Sequence, residues 1–329
     1  MGALDYAGLP GWYAAGLPEA EQSEPYIHHF PDGNSTIARK LVCRLIPDLV
    51  SGNSLENLIT AKLDYGLLDN PLNDVSVRLN STVINVQNNK SAGGTVTVSY
   101  VRDNQLEKVS ASKCILACNS NVIPFICPEL PDKQKDALAF QVKVPILYTN
   151  VAVKNWEAWK NLGIGAMVCP GSYHIVSMLD FPVTYGNYEF SRNEREPIVI
   201  HMERFPHSYG SNLSAREQYK LGRYELLTTP FETIERNVRE QLESSLSEGG
   251  FNAAKDILGI TVNRWSHGYS YWYNPLFDPI YDDYNDSRYP HIIGRKKYGN
   301  ITIANADSAA NAMLESAIEE AYRAVSELI

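Results

Sequence analysis

The stretch from Asn300 to Ile329 narrows the choice of fold more than any other part of this chain. Ile301–Ala304 is a short apolar run of the kind a buried strand supplies, and from Ala312 onward Leu314, Ala317, Ile318, Ala321, Val325 and Leu328 recur at helical spacing. The spacing predicts a strand, a turn and a final helix. Between them, Asn305-Ala306-Asp307-Ser308-Ala309-Ala310-Asn311 offers small residues that let a ligand approach the backbone, with an acceptor and a cap at the mouth of the helix. A strand feeding a helix through such a turn suits a phosphate or a sugar hydroxyl. The same pattern also serves many α/β folds that bind nothing there.

Upstream, Asp32 and Gly33 form a turn after the extended run Tyr26–Pro31, and Ile37, Leu41, Val42, Leu45 and Ile46 mark one side of a helix that Asp32 or Asn34 can cap. Residues 1–25 are rich in Gly, Pro and Ala and read as an arm. His28 and His29 are adjacent on an extended run, so they point to opposite faces and do not share a metal. From Asp74 the pattern becomes β. Val75, Val77 and Leu79 alternate, Thr82–Val86 continue, Thr95–Tyr100 alternate strictly and Asp103-Asn104 turns the chain, so a meander is expected. Lys113–Asn119 is a continuous apolar run of the kind buried in a parallel sheet.

Further strands are expected over Val142–Val153, Tyr185–Phe190 and Ile198–Met202, and a helix over Pro230–Leu246 with a core stripe of Phe231, Ile234, Val238, Leu242 and Leu246. Along Ile260–Asn274, alternation puts Trp265, His267, Tyr269, Tyr271 and Tyr273 on one face, a set of π surfaces around a candidate base. Aromatic faces attract cations. An aromatic strand packing a sandwich is the plainer account of the same residues. Asp278, Asp282, Asp283 and Asp286 follow in a Tyr-rich loop that is either solvated or in contact with a distal ammonium.

The formal charge of −9, from 29 basic and 38 acidic residues, argues against nucleic acid and suits a cationic ligand. No apolar run approaches the ~18 residues that span a bilayer, and Met1–Tyr6 has neither a basic nor an apolar leader region. The chain as given reads as soluble and cytoplasmic, with a periplasmic origin open for a longer parent. The five cysteines have no metal-type spacing and are expected as free thiols.

Several of these stretches resemble the flavin amine oxidase family. Ala304–Asp307 and Ala317–Val325 are similar to that family's C-terminal flavin motif, His29–Pro47 and Val262–Tyr269 resemble bacterial spermidine dehydrogenases, and Arg78–Val83 with Ile115–Ala117 follows the order of the family's FAD domain. The resemblance implies that Asp307 and Ala306 meet the ribityl chain of FAD, that Val83 offers its backbone to the adenine, and that Asp32, Gly33 and Asn34 lie beside the flavin ring. It makes Trp265, Tyr269 and Tyr271 a substrate wall and His267 the candidate base. The lysine that many members set against flavin N5 is displaced here, with Lys143 ahead of Pro145–Tyr148.

The expected fold is therefore α/β (mixed α+β): an incomplete FAD-binding Rossmann-like domain, 61–119 and 291–329, and a substrate domain with a mixed β-sheet flanked by helices, 1–60 and 120–290. The family's opening G-x-G-x-x-G is not found before Phe30. The expectation is the downstream part of a polyamine or spermidine-type dehydrogenase or oxidase, with weakened or lost FAD binding, a haem by analogy, a small cationic amine as substrate, and an upstream half or a second copy as partner. The alternative is a catalytically silent chain that keeps the substrate-domain fold and binds a polyamine or a protein.

Overall fold

The computed structural model describes residues 30, 32–52, 54–89, 94–180, 184, 189–208 and 210–329. The expected arm over 1–25, the His28-His29 pair and most of the strand over 185–190 lie outside them. The described chain falls into two units: residues up to Ser76 with Trp272–Asp283, and Val77–Tyr271 with Tyr284–Ile329.

In the first unit, α1 (Ser35–Leu45) follows the turn at Gly33, whose φ of 66° is the left-handed conformation glycine tolerates best. Asn34 occupies the N-cap position without a side-chain cap bond. Asp32 holds the helix start differently, by accepting from the Thr36 hydroxyl and standing 3.6 Å from Arg39 Nε. Arg39 also donates to the Ile59 carbonyl, tying α1 to α2 (Leu55–Thr60), which a Ser54–Asn57 capping box begins. Leu41 and Leu45 are exposed, and Thr36 and Ile46 are buried instead.

The expected meander forms from Thr82 onward, the alternating run Val75–Leu79 ahead of it being no strand: β1 (Thr82–Asn88), β2 (Val96–Arg102) and β3 (Gln105–Ala111), antiparallel in that order, with a register shift between Val83 and Asn85. Strand β4 (Cys114–Leu116) then pairs in parallel with β10 (Ile301–Ile303), so the two ends of the unit meet in one sheet. One face of that pair, Leu116, Ile301 and Ile303, packs with Val86, Val96, Ile123, Ile126, Leu130 and Leu138. Those residues come partly from α3 (Ile123–Ile126) and α4 (Asp132–Phe140), and Gln134 of α4 donates to the carbonyls of Gly294, the last residue of α9 (Pro290–Gly294), and of Lys296.

A second core lies under a five-stranded sheet of β5 (Val144–Val153), β6 (Ala166–Val168), β7 (Val176–Asp180), β8 (Ile198–Arg204) and β9 (Ile257–Tyr269), in the order β6-β7-β8-β5-β9. All its pairings are antiparallel, and parallel pairing among the described strands is confined to β4 and β10. Helices α5 (Glu157–Leu162), α6 (Ala215–Thr228), α7 (Phe231–Leu246) and α8 (Ala253–Asp256) accompany this sheet. Ile234, Val238, Leu242 and Leu246 of α7 are fully buried against Leu147, Val151, Ile200 and Met202, as the stripe predicts, while Phe231 at its start is exposed.

Helix α10 (Leu314–Ser326) closes the chain, but not on the face its periodicity predicts. Glu320, Ala324 and, past the helix end, Leu328 are buried and Leu314 and Ala317 half-buried, whereas Ile318, Ala321, Tyr322 and Val325 are exposed. The cause is polar. Arg295 and Arg323 both bind Glu320, Arg323 also reaches the Ile303 carbonyl, and Thr302 Oγ1 donates to the Ala324 carbonyl, so the helix turns its charged side to the sheet. All five cysteines are free thiols, and burial pushes the Cys127 thiol up to about 12. No helix among the described residues is long and apolar enough to cross a membrane, and they contain no acidic, His or Cys cluster able to hold a metal.

Candidate functional site

The strand-turn-helix at the carboxyl end builds its turn from Asn305. Its side chain accepts from the Ser308 N–H at 2.9 Å and donates to the Cys118 carbonyl, stitching the end of β10 to the end of β4. The turn itself, Ala306–Ala309, is a tight 3-10 turn closed by Ala310 at φ 48°, and α10 begins only at Leu314. Asp307 therefore does not cap the helix. It points into the molecule at 1% exposure, just beyond the carboxyl ends of two parallel strands, the position at which open α/β sheets take their ligands.

Three segments converge on this carboxylate. Oδ1 receives Lys143 Nζ at 2.9 Å and Ser270 Oγ at 2.9 Å, and Oδ2 receives the Ser120 backbone N–H at 2.9 Å. Ser270 directly follows β9 and Lys143 directly precedes β5, so the five-stranded sheet and the β4–β10 pair are joined here. The sequence made Asp307 visible but not Lys143, which lies 164 positions away. Lys143 lies just ahead of β5 and pairs with Asp307, a contact that no local pattern announces.

Within four positions of these residues in the sequence, several buried polar atoms lack partners: Ser120 Oγ, Asn121 Oδ1, Gln141 Oε1 and Asn311 Oδ1. Three of the four are acceptors, and buried polar atoms are normally paired. A ligand rich in hydroxyl donors, such as the sugar-alcohol chain of a flavin, fits that deficit. Val83 adds a second fitting feature: β1 is an edge strand of its sheet, with backbone groups on its outer side that β2 does not use. Ala306 is half-buried beside Asp307. Asp32, Gly33 and Asn34 belong to the first unit, where Asp32 is engaged by Thr36 and Arg39.

The aromatic residues from Trp265 to Tyr273 do not share one exposed face. Trp265 and Tyr269 are exposed at 55% and 40%. Tyr271 is not beside them: β9 ends at Tyr269, and Tyr271 is 2% exposed, edge-on to Phe140 at 5.7 Å with Arg216 and Tyr219 nearby. Alternation fails because the strand stops. Its place on the sheet face goes to Tyr148, whose hydroxyl meets that of Tyr269 at 2.7 Å and whose ring stands 5.0 Å from that of His201. Glu203 pairs across β8 with Tyr148 and lies 3.3 Å from His201, so a carboxylate shares the aromatic face. Cross-strand partners face the same way, a signal that sequence alone does not carry without the register. Of the acidic loop, Asp286 is bound by Arg288, which holds its carboxyl down at about 2, and Asp278 accepts from the Asn274 N–H.

His267 is exposed between these two groups, with Nδ1 2.8 Å from Ser266 Oγ. Burial first, then the Arg223 and Lys143 charges, lower its pKa, with Asp307 opposing. The shift favours the neutral ring. Cys118, beside the turn, is held protonated mainly by burial, with Asp307 adding to the effect.

No family model matches the sequence, and a search of the curated proteins found none similar. Solved structures do match. Cyclohexylamine oxidase from Brevibacterium oxydans IH-35A aligns with a TM-score of 0.50 at 11% identity, over 75% of this chain and 47% of that one. The chain therefore has a fold similar to about half of that structure. A redesigned triple mutant of putrescine oxidase aligns with a TM-score of 0.49 at 13% identity, over 77% of this chain and 49% of that one. The chain spans about half the length of the solved structures it matches.

Proposed function

We propose that this chain is a portion of a flavin-dependent amine oxidase or dehydrogenase acting on a cationic amine of the polyamine class, with 61–119 and 291–329 as its share of an FAD-binding domain and 1–60 with 120–290 as its substrate domain. The observation that carries the reading is the position of Asp307. It lies at the carboxyl ends of β4 and β10 and is tied through Ser270 to the strand bearing Trp265, His267 and Tyr269. Asp307, Ala306 and Val83 would hold FAD, which supplies the hydride acceptor for an amine C–H bond.

The chain's own residues would do the rest. Trp265 and Tyr269, with Tyr148 and Glu203, would hold the ammonium by ring quadrupole and charge. An amine is mostly protonated at neutral pH, so a base is needed, and His267 would take that proton at Nε2, its Nδ1 being engaged by Ser266. Tyr271 would act from behind, holding Phe140 and Arg216.

The test is titration of FAD into the purified chain, read by flavin fluorescence and melting temperature, with and without spermidine. Binding that Asp307→Ala abolishes supports the reading. A folded chain indifferent to FAD at millimolar concentration rejects it. One observation favours the second reading, a silent chain that binds a polyamine or a protein: the Asp307 carboxylate is already satisfied by its own chain. In that case spermidine raises the melting temperature and FAD does not.

A further inference from the structure

The three groups on Asp307 are not equally fixed. Ser120 presents a backbone N–H from a 3-10 turn, and Ser270 presents a short side chain at the end of β9. Lys143 reaches Asp307 on a four-carbon stem with free rotors. Its side chain is 12% exposed against 1% for the carboxylate, so the lysine is the side of the cluster that solvent reaches. Its backbone is held, since Arg223 donates to the carbonyls of Lys143 and Ser266, both at 3.0 Å. The ammonium can therefore leave without moving β5 or β9. Gln141, two residues earlier, has a buried Oε1 without a partner.

A carboxylate accepts about four hydrogen bonds. Three are filled on Asp307, and its 1% exposure leaves no open approach to the fourth. We propose that Lys143 is a built-in competitor for Asp307: its ammonium occupies the place a donor hydroxyl of a sugar-alcohol ligand needs, and the site stays shut until that ammonium is displaced. The inference rests on the reading of Asp307 as a cofactor residue given above. A neutral hydroxyl cannot replace the charge of the ammonium, so the closed form is favoured in the free chain and the apparent affinity falls by the fraction of chains that are open. Lys143 is here a gate on the site, a role that acts through Asp307.

The experiment uses the full chain as wild type, Lys143→Met, Lys143→Arg and Asp307→Ala, with circular dichroism to confirm folding and Lys143→Gln in reserve should Lys143→Met fail to fold. The probes are FAD and riboflavin, which shares the sugar-alcohol chain but lacks the pyrophosphate, with ADP as a control; binding is read by flavin fluorescence and calorimetry. Lys143→Met should bind FAD and riboflavin about tenfold tighter than wild type or better, as expected for a mostly closed site. Lys143→Arg should match wild type, and ADP affinity should not change. Riboflavin binding that Lys143→Met leaves unchanged or weakens, while Asp307→Ala abolishes it, overturns the gate and leaves the flavin reading standing. If no folded variant binds a flavin, both fall.

Discussion

Acidification from pH 7 to pH 5 should remove about 2 kcal/mol of folding stability through His174 alone. This residue precedes β7 at zero exposure, with Nε2 3.0 Å from Thr149 Oγ1, and its backbone exchanges hydrogen bonds of 2.9 and 2.8 Å with the Gln241 side chain of α7. Burial first, then the Arg204 and His201 charges, take its pKa from 6.5 to about 3. The folded-state value lies below the unfolded one, so the unfolded chain takes up the proton first. The contribution is intact above pH 6.5 and is lost progressively as pH falls towards 3. Each unit in that window costs about 1.4 kcal/mol, so the one and a half units down to pH 5 amount to about 2 kcal/mol. His291, at 1% exposure, is brought down to about 4 mainly by burial, with Arg295 adding to it, and contributes a similar loss. Urea unfolding of wild type and His174→Gln at both pH values reads the difference. The wild type should lose about 2 kcal/mol more than the variant. Equal losses in the two proteins would refute the assignment of a neutral, proton-excluding histidine beneath the sheet.

Glu320→Ala leaves Arg295 and Arg323 without their shared carboxylate, and at 17% and 20% exposure they should cost about 3–5 kcal/mol in urea unfolding. Gly222→Ala would gain up to about 1 kcal/mol from helix propensity in an open helix. In α6 the added methyl meets the Pro206 backbone carbonyl, so the net result should be a destabilisation of about 1–3 kcal/mol by thermal melting. Trp265→Ala, at an exposed position, should change stability by no more than about 0.5 kcal/mol. Under the proposed function it should also weaken spermidine binding by about tenfold, measured by calorimetry.

Much of the fold could be read from local patterns, because the elements that carry it are periodic. The β1–β3 meander, the buried stripe of α7 and the apolar runs that become β4 and β10 each announce themselves within about ten residues. Where periodicity met a competing polar contact, it misled. The middle of the apolar stripe of α10, Ile318, Ala321 and Val325, faces out because Glu320 is fixed by Arg295, 25 positions earlier, and ion pairs at that separation leave no trace in spacing. Tyr271 fell off the aromatic face because alternation persists only while the strand does, and β9 stops two residues short of it. At the candidate site, Asp307 stood out by its turn, but Lys143, Ser120 and Ser270 join it only once the ends of β5, β4 and β9 are brought together. Tyr148 and Glu203 needed the register of β5 with β8, which alternation within a single strand cannot supply.

The inverted seating of α10 reverses the usual advice for engineering a helix. Ordinarily the greasy residues are left alone and the charged ones are free to vary. Here Ile318, Tyr322 and Val325 are the positions that tolerate Lys, Glu or Gln, with a gain in solubility and little effect on the melting curve. Glu320, a charged residue that a surface-redesign scheme would change first, is the one that has to stay.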